Sequence, residues 1–229
     1  MVFGFQILQS SPIQAQSVTQ ATVTEILDGN QVYIQDLQAQ VSSVARQQEQ
    51  VRTGTSRTAL SFNTGAVARL AQNSSLTVGQ CAQLQQGTVL VNGSLDGCTG
   101  STLAGVRGTT YTFTVDENGV ETLQVFEGTV DVSRIVSVRG LWGPRLQAGT
   151  DGESLELTEE PVSLREGQSL TYNSATGRAS IMQLTQTDFE QLLQGPLVAE
   201  FAEELPGLDD LRDAFERLFP DAPFPELSL

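Results

Sequence analysis

Tyr111-Thr112-Phe113-Thr114-Val115, followed by Asp116-Glu117-Asn118-Gly119, is the stretch on which the fold is decided. Aromatic or aliphatic residues alternate with threonine, which is the period of a strand with one buried face, and both residue types favour a pleated backbone. The tetrapeptide supplies Asn and Gly, which tolerate positive φ, so the chain reverses there and forms a hairpin. The pattern extends outward over residues 17–180 in Ala21-Thr22-Val23-Thr24-Glu25-Ile26, Thr88-Val89-Leu90-Val91 and Thr129-Val130-Asp131-Val132, with turns at Asp28-Gly29-Asn30, Asn92-Gly93 and Asn173-Ser174.

A weak internal repeat runs through the same region. Leu84-Gln85-Gln86-Gly87-Thr88-Val89-Leu90-Val91 is matched by Val125-Phe126-Glu127-Gly128-Thr129-Val130-Asp131-Val132 and by Leu164-Arg165-Glu166-Gly167-Gln168-Ser169-Leu170-Thr171, with Val51-Arg52-Thr53-Gly54 as a looser fourth member. Strand, glycine corner and strand recur, so the chain is expected to turn at similar corners and stack. The fold class expected is mainly β, a solenoid-like or sandwich-like stack of short strands with Gly corners, followed by one or two C-terminal α-helices.

Composition agrees and narrows the function. With 229 residues there is enough chain for one sizeable core. The net charge is −15, every one of the twelve cationic residues is Arg, and there is no His. Phosphate contacts need clustered cations, so nucleic acid is not an expected partner. Without His the commonest general base and the commonest zinc ligand are missing.

Residues 1–16 read as a signal peptide that is short of its basic start: Val2-Phe3-Gly4-Phe5-Gln6-Ile7-Leu8 is apolar, and Ser10-Ser11-Pro12-Ile13-Gln14-Ala15-Gln16 offers a cleavage point after Ala15. No stretch reaches the ~18 apolar residues that a membrane-spanning helix needs, so no transmembrane segment is expected in the mature chain. Cys81 and Cys98 are the only cysteines, and sixteen residues with three glycines lie between them. A disulfide suits an oxidising compartment, two buried thiols being the alternative, and the spacing excludes a redox CxxC pair.

Beyond residue 181 the period becomes helical. Thr187-Asp188-Phe189-Glu190 has the form of a capping box, Gly195-Pro196 ends the first run, and Pro206 and Pro220 bracket a second over 207–219. Leu208, Leu211, Phe215, Leu218 and Phe219 recur on one face. That apolar stripe could dock into a partner's groove or cover an edge of the chain's own β domain. From Glu190 onward ten acidic residues face two Arg.

Four blocks together are specific. Val51-Arg52-Thr53-Gly54, then Gly65-Ala66-Val67-Ala68-Arg69-Leu70 with Asn73-Ser74-Ser75-Leu76, then Val106-Arg107-Gly108-Thr109-Thr110-Tyr111 and Phe126-Glu127-Gly128-Thr129-Val130-Asp131-Val132 resemble the FecR domain, in that family's order. The residues that carry the resemblance are Arg52, Gly54, Arg69, Asn73, Arg107, Gly108, Thr109, Glu127 and Gly128. The best-known members regulate sigma factors from the inner membrane, and their periplasmic part receives a signal from an outer-membrane siderophore receptor. This chain departs from that plan, since no sigma-binding helices, membrane helix or receptor-binding domain is recognisable in it. The resemblance implies a free-standing extracytoplasmic β domain that works through protein contact. The segments expected are a signal peptide over 1–16, a FecR domain over 17–135, a β extension over 136–180 and an acidic helical segment over 181–229.

From the residues alone, Gly108 permits a corner and Arg107 could tie that corner to carbonyls or a carboxylate, or else face a partner. Arg69 and Asn73 are expected to satisfy backbone groups between strands. The acids Glu156, Glu159 and Glu160 are not preset as a glycosidase pair, and Asp116, Glu117 and Asn118 read as a solvated turn without calcium-loop spacing. The function expected is a periplasmic or secreted FecR-type protein-interaction module in envelope signalling or regulation. It is not expected to be an enzyme, and neither cofactor nor metal is expected. A structural or adhesive envelope component recognising polysaccharide is the alternative, although Trp142 and three Tyr are the only aromatics besides Phe.

Overall fold

The computed structural model describes residues 17–134 and 161–226. The signal-peptide reading, Trp142 and the acids at 156–160 therefore lie outside the described residues. Within them the chain is mostly β, with two C-terminal helices, and its strands form two facing sheets that share one long strand.

The first sheet receives β1 (Gln20–Leu27), and the second receives β2 (Val32–Ile34) and β3 (Leu37–Gln38). Next, β4 (Val44–Arg46) pairs beside β1, and β5 (Gln50–Thr53) returns to the second sheet against β2. The first sheet then takes β6 (Arg57–Phe62) and β7 (Val67–Leu70), and the second takes β8 (Ser75–Val78). The shared strand is β9 (Ala82–Gly93), which pairs with β8 before Gly87 and with β7 after it. Strands β10 (Gly97–Cys98) and β11 (Thr102–Val106) belong to the second sheet, β12 (Thr109–Val115) and β13 (Val120–Glu127) to the first. Finally β14 (Thr129–Arg134) and β15 (Val162–Arg165) extend the second sheet, and β16 (Gln168–Asn173) and β17 (Arg178–Gln183) extend the first. All neighbours are antiparallel except β9 and β10.

The alternation read from the sequence fills the space between the sheets. Val89, Val91, Tyr111, Phe113, Leu123, Val125, Leu170 and Tyr172 point inward from the first sheet, against Val51, Leu76, Leu84, Ala104, Val130, Val132 and Leu164 of the second. The intervening residues, such as Thr112 and Gln124, face outward and bond across strands. Tyr111 is fully buried, and its hydroxyl donates to the Leu95 carbonyl at 2.8 Å. Burial pushes that phenol well above its ordinary pKa.

Gly54, Gly87, Gly128 and Gly167 all sit where the chain passes from one sheet to the other. Gly87 shows why glycine is required: its φ is +86°, and a Cβ there would lie 2.6 Å from the Ser74 Cα. The corners do not all stack on one edge, because the register places them on two. Leu70 opposite Val89 puts the Gly54 and Gly87 crossings at one end of the strands, while Thr110 opposite Glu127 puts the Gly108, Gly128 and Gly167 crossings at the other. The exchange happens at β9, which changes sheet in mid-strand and continues to the far edge before crossing again.

The cysteines are joined as a disulfide, with Cα atoms 5.8 Å apart, and they tie the turn before β9 to β10. The first helix, α1 (Gln186–Leu193), begins earlier than the Thr187–Glu190 pattern suggests. Thr185 is the N-cap and Asp188 closes the box, because Asp188 rather than Glu190 reaches the cap's N–H. The second helix, α2 (Leu208–Leu218), starts at Gly207.

Both helices lie on the outer face of the first sheet. Leu184, Phe189, Leu192, Leu193, Leu205, Leu208, Leu211 and Phe215 bury themselves against Leu90 and Phe126. Phe189 is central, with ring centroids 5.0 Å from Phe126 and 5.6 Å from both Phe215 and Phe219, in edge contacts. Of the two alternatives for the apolar stripe, docking into a partner's groove is not what is seen: Leu208, Leu211 and Phe215 are buried, and Leu218 and Phe219 are partly buried, in the cluster on the chain's own sheet. The stripe covers a sheet face rather than an edge.

Candidate functional site

Of the residues that carry the four blocks' resemblance, all but Arg69 gather at the corners. At the first edge, three successive crossings are laced together by the backbone: the Gly54 N–H donates to the Gln31 carbonyl, and the Asn73 N–H donates to the Gly54 carbonyl, both at 2.7 Å. Thr53 strengthens this, its hydroxyl donating to the Ala71 carbonyl and accepting from the Ser74 N–H. Asn73 has φ +53°, a left-handed conformation that asparagine tolerates better than most residues. Between these corners opens a cleft of about 290 Å³ lined by Tyr33, Arg52, Gly54, Asn73, Ser75 and Gln86 among others. Arg52 is its cation. Its guanidinium lies 5.7 Å from the Tyr33 ring centre and donates to the Gln35 carbonyl, with Asp36 at 3.7 Å.

At the second edge, Arg107, Gly108, Thr109, Glu127 and Gly128 come together. A Cβ on Gly128 would meet the Thr109 methyl at 2.7 Å, so the two corners touch. Arg107 and Gly108 are exposed, and Arg107 makes no hydrogen bond or ion pair with a described residue. It therefore does not tie the corner as the sequence suggested. The Thr109 hydroxyl is buried without a partner among the described residues. Glu127 is half-buried, and burial, together with Asp210 and Glu166 close by, raises its carboxyl pKa above the ordinary glutamate value. Next to it Arg217 of α2 forks onto Glu166 at 3.0 and 2.8 Å.

Arg69 belongs to neither edge. It points outward from β7 and is buried beneath the segment joining the helices, where it donates to the carbonyls of Leu197, Val198 and Glu203 and lies 4.3 Å from the Phe201 ring centre. It thus satisfies backbone groups of that segment rather than between strands, and burial lowers its pKa to about 10. Beside it Arg57 is buried too, bonded to both Asp28 oxygens, to Glu200 and to the carbonyls of Pro196 and Ala199. Arg57 holds the Asp28 carboxyl below its ordinary range. A third clamp is the Glu25 carboxylate, which accepts the Ala202 N–H at 2.9 Å.

Sequence reasoning missed Arg57, Asp28, Glu25 and Phe201. A charged residue facing out of a strand normally reads as solvated, and the carbonyls and N–H groups that these side chains reach in the C-terminal segment lie some 140 to 180 positions away in the chain. The one local signal is that Arg57 and Arg69 occupy the outward positions of neighbouring strands. The Asp116 side chain accepts from the Asn118 and Val120 N–H groups and so holds its own turn.

No family model matches the chain, and no curated protein matches it. Among solved structures it is similar to two crystal structures from Parabacteroides distasonis ATCC 8503, each described as of a "putative anti-sigma factor". Each is 12% identical with a TM-score of 0.48; one comparison covers 64% of both chains, the other 78% of this chain and 81% of that one. The chain thus spans slightly less than two thirds of the first.

Proposed function

We propose that this chain is an extracytoplasmic FecR-type protein-interaction module that serves envelope signalling or regulation by contact and carries out no chemistry of its own. The observation that carries this reading is where the blocks resembling the FecR domain sit. Arg52, Gly54 and Asn73 frame one open corner cleft, and Arg107, Gly108, Glu127 and Gly128 frame a second exposed corner, each with a cation on an otherwise acidic molecule. Arg107, exposed and without a hydrogen bond or ion pair to a described residue, keeps its planar fork available to a carboxylate or carbonyl of another protein. By contrast, the buried Arg57, Arg69 and Tyr111 are committed to internal carbonyls and carboxylates. The Cys81–Cys98 disulfide suits an oxidising compartment outside the cytoplasm.

Fractionation of the native cells with subsequent crosslinking and mass spectrometry tests this. The expected result is recovery outside the cytoplasm with both cysteines oxidised, and a reproducible protein crosslink that Arg52→Glu or Arg107→Glu abolishes. Recovery only in the cytoplasm with reduced thiols overturns the export part. No reproducible partner, or one indifferent to both substitutions, overturns the contact part.

A further inference from the structure

The two ends of the β stack are finished differently. At the N-terminal end the outermost strands are β3 and β4, two and three residues long, too short to template another strand. At the C-terminal end the last strands are β15 of the second sheet and β17 of the first, and among the described residues each pairs on one side alone. Strand β17 is Arg178-Ala179-Ser180-Ile181-Met182-Gln183, six residues in unbroken register with β16. It has no Pro, no bulge and a single charge at its first position, so it lacks the devices that normally blunt an edge. Met182 is 63% exposed, and Ile181 and Val162 cover the last layer of the inter-sheet core only in part.

We propose that the chain pairs with a second copy of itself across this end, two β17 strands joining antiparallel about a two-fold axis so that the first sheets of both copies become continuous. Charge permits the contact: residues 161–183 carry Arg165, Arg178 and Glu166, a net of +1 in a chain of −15. The joining edges therefore add no net acidic repulsion of their own. Geometry selects the occupant. With Ile181 opposite Ile181, side chains of like face meet like face, Ala179 and Gln183 on the core side and Ser180 and Met182 outside, as the period of two requires. The same axis brings β15 of each copy alongside the other, so one partner closes both sheets and the thin end of the core. A single foreign strand would close one sheet and leave its neighbour open.

The oligomeric state of the full chain, measured by light scattering and native mass spectrometry, decides it. Twice the chain mass is expected, and Ser180→Glu with Met182→Glu, both on the outer face, should weaken association at least about tenfold while leaving the circular dichroism unchanged. Leu37→Glu at the opposite end should leave it intact. An Ile181→Cys variant, in a chain whose native cysteines are already paired, should form a covalent dimer on oxidation. A wild-type chain that stays at its single mass overturns the proposal. If its β17 amides are then protected from exchange, another segment of the same chain occupies the edge. A dimer indifferent to both glutamates also overturns the proposal.

Discussion

Two apolar cores lie on opposite faces of the first sheet, and they are held by different chemistry. Between the sheets the packing is aliphatic, built by alternation from Val, Leu and Ala with Tyr111 and Phe113, and strand pairing satisfies most of the backbone around it. On the outer face the sheet offers few apolar groups, chiefly Leu90 and Phe126, so the C-terminal segment brings its own: Phe189, Phe215, Phe219 and Phe224 meet edge to face. Its chain between the helices is irregular there, leaving carbonyls that no helix satisfies. Arg57 and Arg69 reach out from the sheet and donate to them. A regular layer can be attached by burial alone. An irregular one also needs donors, and these come from side chains on the supporting face.

The strongest test is to truncate one aromatic in each core. Phe113→Ala should lower global stability by about 3–5 kcal/mol, seen as a fall in the urea midpoint with both helices lost in the same transition. Phe189→Ala removes a comparable ring, but its first effect should be local opening of 186–219, read by hydrogen exchange, with β9 and β12 still protected. Equal loss of protection in β9 would mean that the two cores form one cooperative unit.

The disulfide belongs to the first core alone, since it links the turn before β9 to β10. Replacing both cysteines by serine should therefore destabilise global unfolding by about 3 kcal/mol and leave the local opening of the C-terminal segment where it was. Exchange of α1 and α2 that accelerates ahead of the strands would break the separation. The clamp is the converse. Arg69→Met keeps the apolar stem but strands the carbonyls of Leu197, Val198 and Glu203, and the loss should be on the order of 2 kcal/mol, confined to exchange over 195–205.

These contrasts explain what the sequence makes legible. Tyr111–Gly119 and the Gly-cornered blocks disclose strands, hairpin and crossings because period two and positive φ are local properties. The two-edged arrangement of corners is not local: it results from β9 changing sheets at Gly87, which a repeat of similar octapeptides cannot distinguish from a simple stack. The helical stripe at Leu208–Phe219 is equally plain, but its partner, the sheet's own face, is set by tertiary contact. At the candidate site, Arg52, Gly54 and Asn73 are brought together as neighbours in one cleft, and Arg107 with Glu127 at another corner, whereas Arg69 departs to the clamp. The buried Arg57 leaves no trace in its strand, because its outward position is the one that water would normally fill.

The smallest effect is expected where the two cores meet. Glu127 ends β13 at the second edge and sits under α2, and its carboxyl titrates above the ordinary value of 4.5, with burial the main cause and Asp210 and Glu166 adding to it. A raised carboxyl pKa means that the folded state holds the proton more tightly than the unfolded one. The associated stability is fully present below pH 4.5 and is lost as pH rises through the folded pKa. Glu127→Gln, neutral at every pH, should therefore gain in urea midpoint relative to the wild type as pH goes from 4 to 7. Half-exposure keeps the gain small. Because Asp210 lies on α2 and Glu166 at a strand crossing, the same titration reports on both cores at once. Combining Glu127→Gln with Asp210→Asn should give less than the sum of the two gains, since each removes the repulsion that the other feels. Full additivity would mean that Glu127 answers to burial alone, and that the helix and the corner do not communicate through charge.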